Sequence, residues 1–290
     1  MRKLKQVLHA HKSSDGDGVK INRLAGKHLL PLLNPFLMVD EIRSDDAADY
    51  IGGFPEHPHR GFETITYMKA GRMRHRDHMA NEGVISAGDV QWMTAGAGVL
   101  HSEMPEQTSG FMHGFQIWLN LPAKEKMQPA AYREIASHHI TEHGLANGGL
   151  MRVIAGRIKL EQDNGKEGIL LTGPITEKTT QPVFVDVMLA ANETIKLSFN
   201  EACPAIVYIY EGATKELKRY DVGLYEKGST LSLAASDVGA KMLVLSGEPI
   251  QEPIEQYGPF VMNTMEEIER ALRDFQNPTY IRGLKSGEIK

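Results

Sequence analysis

The segment Gly53-Phe-Pro-Glu-His-Pro-His-Arg-Gly-Phe-Glu63 sets two imidazoles, His57 and His59, at alternate positions. In an extended chain alternate side chains share a face and stand about 6.6 Å apart along the strand, a span two histidines can close to meet on one ion. Glu63, four residues further on, would share that face if the strand ran on. A second segment, Thr94-Ala-Gly-Ala-Gly-Val-Leu-His-Ser-Glu103, repeats the device with an imidazole and a carboxylate, His101 and Glu103. Either pair alone is a common coincidence on a protein surface. Two pairs, separated by a hairpin-like Gly83 to Gly88 segment, supply four ligands, and His57, His59, His101 and Glu103 are expected to hold one divalent metal. Three neutral imidazoles and one carboxylate leave such an ion with a net charge of about +1 and, in octahedral geometry, two open positions. Mixed nitrogen and oxygen ligation with open positions is the pattern of non-haem iron oxygenases, so Fe(2+) is expected, with nickel, copper, manganese or zinc able to use the same donors. A structural zinc site would be closed and rich in thiolate. The single cysteine, Cys203, excludes that and any intramolecular disulfide.

All twelve histidines lie between His9 and His143, and none occurs in the 147 residues that follow. Whatever needs imidazole therefore belongs to the first half. His9, His11, His28, His75, His78, His138, His139 and His143 lack a comparable partner arrangement and are read as exposed structural positions. His113 and Gln116, opening a predicted strand, are read as pocket lining.

The elements that must position these groups are mostly strands. Short apolar runs at Glu63 to Met68, Val84 to Ile85, Phe115 to Leu119, Val183 to Leu189, Ile206 to Tyr210 and Lys241 to Leu245 are punctuated by Gly, Pro and Asn-Gly, which favours sandwiches or barrels over βαβ units. One helix is predicted near the end, where Thr264 and Glu267 form a capping box and Ile268, Ala271, Leu272 and Phe275 recur at helical spacing. With 290 residues, two cores are expected. Thr66 to Gly71 aligns with Val207 to Gly212, and Gly83 to Gly88 with Gly223 to Gly228, so the halves read as copies joined between Ala136 and Gly149. Domains are placed at 1–136, metal-binding, and 149–290, carrying the helix. On this alignment His57 and His59 fall near Ser198 and Asn200, and His101 and Glu103 near Lys241 and Leu243, so the second copy is predicted to be metal-free.

Net charge is −5, with no basic patch to overcome it, so direct nucleic acid binding is not expected. The longest apolar stretch, Leu29 to Val39, is broken by Pro31, Asn34 and Pro35 and is too short to span a bilayer, and no secretory signal is read at the N-terminus. A cytoplasmic protein without membrane contact is expected.

The blocks at 53–64 and 91–105, together with Gly258-Pro-Phe-Val-Met-Asn-Thr264 and Asn34-Pro-Phe-Leu-Met-Val-Asp-Glu41, resemble the signatures of pirin, a bicupin family. The resemblance implies an all-β fold of two tandem cupin (jelly-roll) β-barrels with a C-terminal helix and metal in the first barrel alone. Its ligand set maps onto His57, His59, His101 and Glu103. Glu63 corresponds to the glutamate that many other cupins use as a ligand and is expected here to stand back from the ion. The resemblance also implies flavonol 2,3-dioxygenase activity on quercetin with dioxygen, releasing carbon monoxide. Glu103, or less readily Glu63, would take the hydroxyl proton. Phe54, Phe62, Trp92, Met93 and Met112 are candidates for the flat apolar walls. The alternative implied by the same family is a redox-dependent regulator that binds a transcription factor or a metabolic enzyme.

Overall fold

The computed structural model describes residues 1–162 and 166–286. Each predicted strand run lies within an observed strand. Glu63 to Met68 sits in Phe62–Ala70, Phe115 to Leu119 in Met112–Asn120, and Ile206 to Tyr210 in Ala205–Thr214. The predicted helix forms as Met265–Gln276, and its capping box is complete: Thr264 Oγ1 accepts from the Glu267 amide over 3.2 Å while Glu267 Oε2 accepts from the Thr264 amide over 3.0 Å.

Two antiparallel seven-strand arrays repeat one order. The first runs Ala131–Ile135, Val90–Thr94, Phe62–Ala70, Met112–Asn120, Phe36–Ser44, Val19–Ala25, His11–Asp15. The second runs Leu4–His9, Asp221–Tyr225, Ala205–Thr214, the latter half of Thr230–Ser246, Val183–Leu189, Leu150–Ala155, Thr141–Gly144. In the first barrel a four-stranded sheet, Phe54–His59, Val99–Pro105, Met73–Asp77, Glu82–Ile85, forms the other wall. In the second the early half of Thr230–Ser246 pairs with Thr194–Ser198, as Val99–Pro105 pairs with Phe54–His59 in the first.

The compact units are Lys12–Ser137 with Ile250–Lys290, and Met1–His11 with His138–Pro249. The linear division at 1–136 and 149–290 is thus corrected at both termini. Leu4–His9 supplies the outer strand beside Asp221–Tyr225, where Ala131–Ile135 serves the first barrel. The helix belongs with the first barrel, because its buried Ile268 and Ala271 pack on Phe260 and Met262. Buried Arg60 fastens it there, donating to Asp274 over 2.8 Å and to the Ala97 carbonyl over 2.6 Å, with Phe275 and Tyr280 across its guanidinium face.

The repeat alignment is also corrected. Between Ala205–Thr214 and Asp221–Tyr225 the second barrel lacks the hairpin Met73–Asp77 and Glu82–Ile85 that the first inserts at that place. A constant offset carried past this gap reaches Lys241 and Leu243, which lie in the half-strand corresponding to Met112–Asn120. The true counterparts of Val99–Pro105 lie at the start of Thr230–Ser246. There and on Thr194–Ser198 the side chains Ile195, Leu197, Leu231 and Leu233 are buried in one apolar core with Val185, Val207 and Val244. No helix among the described residues is long and apolar enough to cross a membrane.

Candidate metal centre

The strands Phe54–His59 and Val99–Pro105 are antiparallel neighbours with His57 directly opposite His101 and His59 opposite Val99. This register brings three imidazoles from two segments far apart in sequence into one cluster. The ring centroids of His57, His59 and His101 lie 4.7, 4.4 and 4.9 Å from one another, and one ligand nitrogen from each falls within 4.8 Å of the other two. His57 is half-buried, while His59 and His101 are buried.

Two of the rings, His57 and His101, are oriented from behind. His57 Nδ1 lies 2.8 Å from the Pro55 carbonyl, which can only accept, so Nδ1 carries a proton and Nε2 is the nitrogen available to a metal. That Nε2 is 3.0 Å from His59 Nε2. With metal–nitrogen bonds of about 2.1 Å, two adjacent ligands of an octahedral ion stand roughly 3 Å apart, so this spacing suits a shared cation. His101 Nδ1 is 2.8 Å from His75 Nε2, and His101 Nε2 is buried with no hydrogen-bond partner among the described residues. An orphaned buried imidazole nitrogen beside two others is what a borderline divalent cation satisfies, and the donor set fits one.

Burial pushes the His59 imidazole well below the usual histidine range, reinforced by His57 and opposed by the Pro259 backbone. Burial does the same to His101, with His59, His57 and His75 adding to it. Neutral imidazoles with free lone pairs are the form a metal requires.

Glu103 follows two positions after His101, but a register irregularity between them places it opposite Phe54, and its carboxylate falls outside the three-histidine cluster. It is held from the facing sheet. The Thr66 hydroxyl lies 2.9 Å from Oε1 and the Gln116 amide donates to Oε2 over 3.1 Å. Glu63 accepts from the Thr94 hydroxyl over 2.6 Å and does not line the cavity described below. The expectation that it shares the face of His57 and His59 fails at Gly61. There the backbone turns through φ +89° with the Val261 carbonyl where a Cβ would stand, so the strand alternation does not carry across.

His57, His59 and Glu103 open onto a cavity of about 910 Å³ within the first barrel. Its walls are alternate residues of three strands: Ile21 and Arg23, then Met38, Asp40 and Ile42, then Gln116 and Trp118. Of the residues expected to line a pocket, Phe54 and Gln116 do so. Phe62 lies behind, its ring 4.3 Å from Trp118 and 5.1 Å from His59. Met112 belongs to a core with Val19, Ile21 and Met73, Met93 packs with Ala95 and Val99, and Trp92 is buried elsewhere on that strand. His113, three residues before Gln116, points to the opposite face, where Nε2 meets Glu41 at 2.9 Å. The expectation that His113 and Gln116 share a pocket ignored that odd spacings on a strand diverge.

Trp118, Asp40, Arg23, Thr66 and His75 were not foreseen. Trp118 was accessible to reasoning, being two residues from Gln116. Arg23 binds Asp40 through Nε at 3.0 Å and a terminal nitrogen at 2.6 Å and also reaches Asp15. Burial works against its charge, but the two carboxylates outweigh this and raise its pKa. His75, expected to be exposed, is 1% exposed.

Comparison with known proteins agrees with this architecture. The pirin family model matches residues 18–119 and the pirin C-terminal cupin domain matches 184–281. A Vibrio cholerae protein provisionally named a quercetin 2,3-dioxygenase is 44% identical over 278 residues, covering 94% of this chain and 96% of its own. A pirin-like protein of Caulobacter vibrioides is 39% identical over 280 residues, covering 95% and 98%. The crystal structure of a quercetin 2,3-dioxygenase from Acinetobacter baumannii superposes with a TM-score of 0.85 at 34% identity over 97% of this chain and 98% of that one. With both barrels matched by their own family models, the same strand order in each and a histidine cluster in the first, the chain belongs to the pirin family of bicupin proteins.

Proposed function

We propose that this protein is a mononuclear non-haem metal-dependent dioxygenase that cleaves flavonols such as quercetin, with Fe(2+) held by His57, His59, His101 and Glu103. The observation that carries the reading is that His57 and His59 of the three-histidine cluster, together with Glu103, open onto a cavity large enough for a drug-sized aromatic ligand. The names of the Vibrio and Acinetobacter relatives support the same substrate class.

A divalent ion held by these residues would supply Lewis acidity for the 3-hydroxyl oxygen of the flavonol. The protein's own residues do the rest. Glu103 accepts the proton of that hydroxyl, and the Thr66 hydroxyl and Gln116 amide fix the carboxylate that receives it. That Glu63 does not line the cavity supports Glu103 as the base. Trp118, backed by Phe62, and Phe54 offer flat faces to the aromatic rings, and Met38 and Ile42 exclude water from the wall between them. Ring opening consumes one dioxygen and releases carbon monoxide and a depside.

Iron-reconstituted protein should consume dioxygen and evolve carbon monoxide with quercetin in equal amounts, and His101→Ala should abolish both. Iron-loaded protein that turns over none of a flavonol panel overturns the enzyme reading and favours a redox-dependent regulator of a protein partner.

A further inference from the structure

His75 is a buried histidine outside the expected ligand set, on the hairpin that the first barrel inserts and the second lacks. Its strand, Met73–Asp77, runs antiparallel to Val99–Pro105 with His75 opposite Glu103 and Arg76 opposite Ser102. That register sends the His75 ring towards His101, with ring centroids 5.0 Å apart and Nε2 to Nδ1 at 2.8 Å. Tyr132 packs on the ring at 5.0 Å, and His75 and His101 are each 1% exposed.

One proton lies between these two nitrogens, and its owner decides what His101 can do. If His75 Nε2 carries it, a neutral His101 must carry its own proton on Nε2, where it would be a buried donor without an acceptor among the described residues. If His101 Nδ1 carries it, His75 accepts, and His101 Nε2 is left as a lone pair beside His57 and His59. The second arrangement leaves no buried donor unsatisfied on His101.

We propose that His75 is a positioning residue for the metal centre: its Nε2 accepts the Nδ1 proton of His101 and so holds His101 in the tautomer and orientation whose Nε2 can ligate. The inference rests on the reading of the three imidazoles as ligands. Carboxylates or backbone carbonyls commonly serve ligand histidines in this way, as the Pro55 carbonyl serves His57 here. A second imidazole in that role makes ligand competence depend on a residue that can itself adopt either tautomer.

The test uses the full-length protein with His75→Phe, which keeps an apolar ring and removes the acceptor, and His75→Gln, whose side-chain carbonyl can accept. Nickel(II) affinity is measured by competition with a chelator, and the fold is checked by far-ultraviolet circular dichroism. Loss of an outer hydrogen-bond partner of a ligand costs about 10- to 100-fold in affinity. His75→Phe should lose that much, and His75→Gln should recover most of it. Independently of any variant, long-range ¹H–¹⁵N correlation spectra of the metal-free wild-type protein should show His101 protonated at Nδ1. Wild-type nickel affinity in a folded His75→Phe protein, or His101 protonated at Nε2 in the wild type, overturns the proposal while leaving the three-histidine centre intact. A wild-type protein that takes up no nickel overturns the centre and this inference with it.

Discussion

The two barrels follow one strand order, yet the places that face each other on Phe54–His59 and Val99–Pro105 hold imidazoles, whereas Thr194–Ser198 and the start of Thr230–Ser246 hold Ile195, Leu197, Leu231 and Leu233. The backbone is equally able to bring two alternate-residue pairs together in both. In the second barrel that convergence is used to close an apolar core. In the first it leaves buried polar nitrogens that only a proton or a cation can satisfy. The hairpin present in the first barrel alone then adds His75 behind His101. A repeated architecture therefore does not carry a repeated site, because the side chains at two strand registers decide between packing and coordination.

This contrast can be broken most directly at His101. Metal content of protein purified under iron-replete conditions should fall from near one equivalent to near zero in His101→Ala, and a retained equivalent would show that the cluster is not the binding site. The matching change in the second barrel, Leu231→Ala, should leave metal content untouched and cost about 2–5 kcal/mol of stability, as expected for a buried leucine. Chemical denaturation of that unit measures it, and a change in metal stoichiometry would erase the distinction between the barrels.

A third test concerns Lys126, a buried ammonium in the first barrel that donates to the Gly61 carbonyl and Asn120 Oδ1 at 2.7 Å and to the Val261 carbonyl at 3.0 Å. Burial lowers its pKa to about 7, against the opposing pull of Glu252 and Glu267. Between about pH 7 and the ordinary lysine range near 10.4 the unfolded chain holds a proton that the folded protein has released. Lys126 therefore makes stability rise with pH across that window, by at most about 1.4 kcal/mol per pH unit. The stability difference between wild type and Lys126→Met should grow in favour of wild type from pH 7 to 9. A difference that is flat or falls with pH would refute it. The smallest effect is expected from Thr264→Ala, which removes a helix cap at a cost of about 1 kcal/mol while leaving the second barrel's transition unchanged.

Much of this was legible in the residues themselves. Strand alternation placed His57 beside His59, and the capping box with its apolar spacing located the Met265–Gln276 helix almost to the residue. What escaped depended on partners distant in the chain. His75 looked like one more unpartnered histidine because its partner, His101, lies 26 residues away. Glu63 seemed aligned with the histidines until Gly61 turned the chain. The second barrel's counterparts were misplaced because a missing hairpin cannot be seen from a constant offset.

The sequence by itself determined which side chains alternate, where turns and caps fall, and that imidazole chemistry belongs to the first half, since these follow from local geometry and residue type. Only the tertiary structure decided which strands become neighbours and in what register. It alone brought Leu4–His9 into the second barrel, through backbone pairing with Asp221–Tyr225, and the Met265–Gln276 helix onto the first, through an apolar face, because both kinds of contact form whatever the distance along the chain.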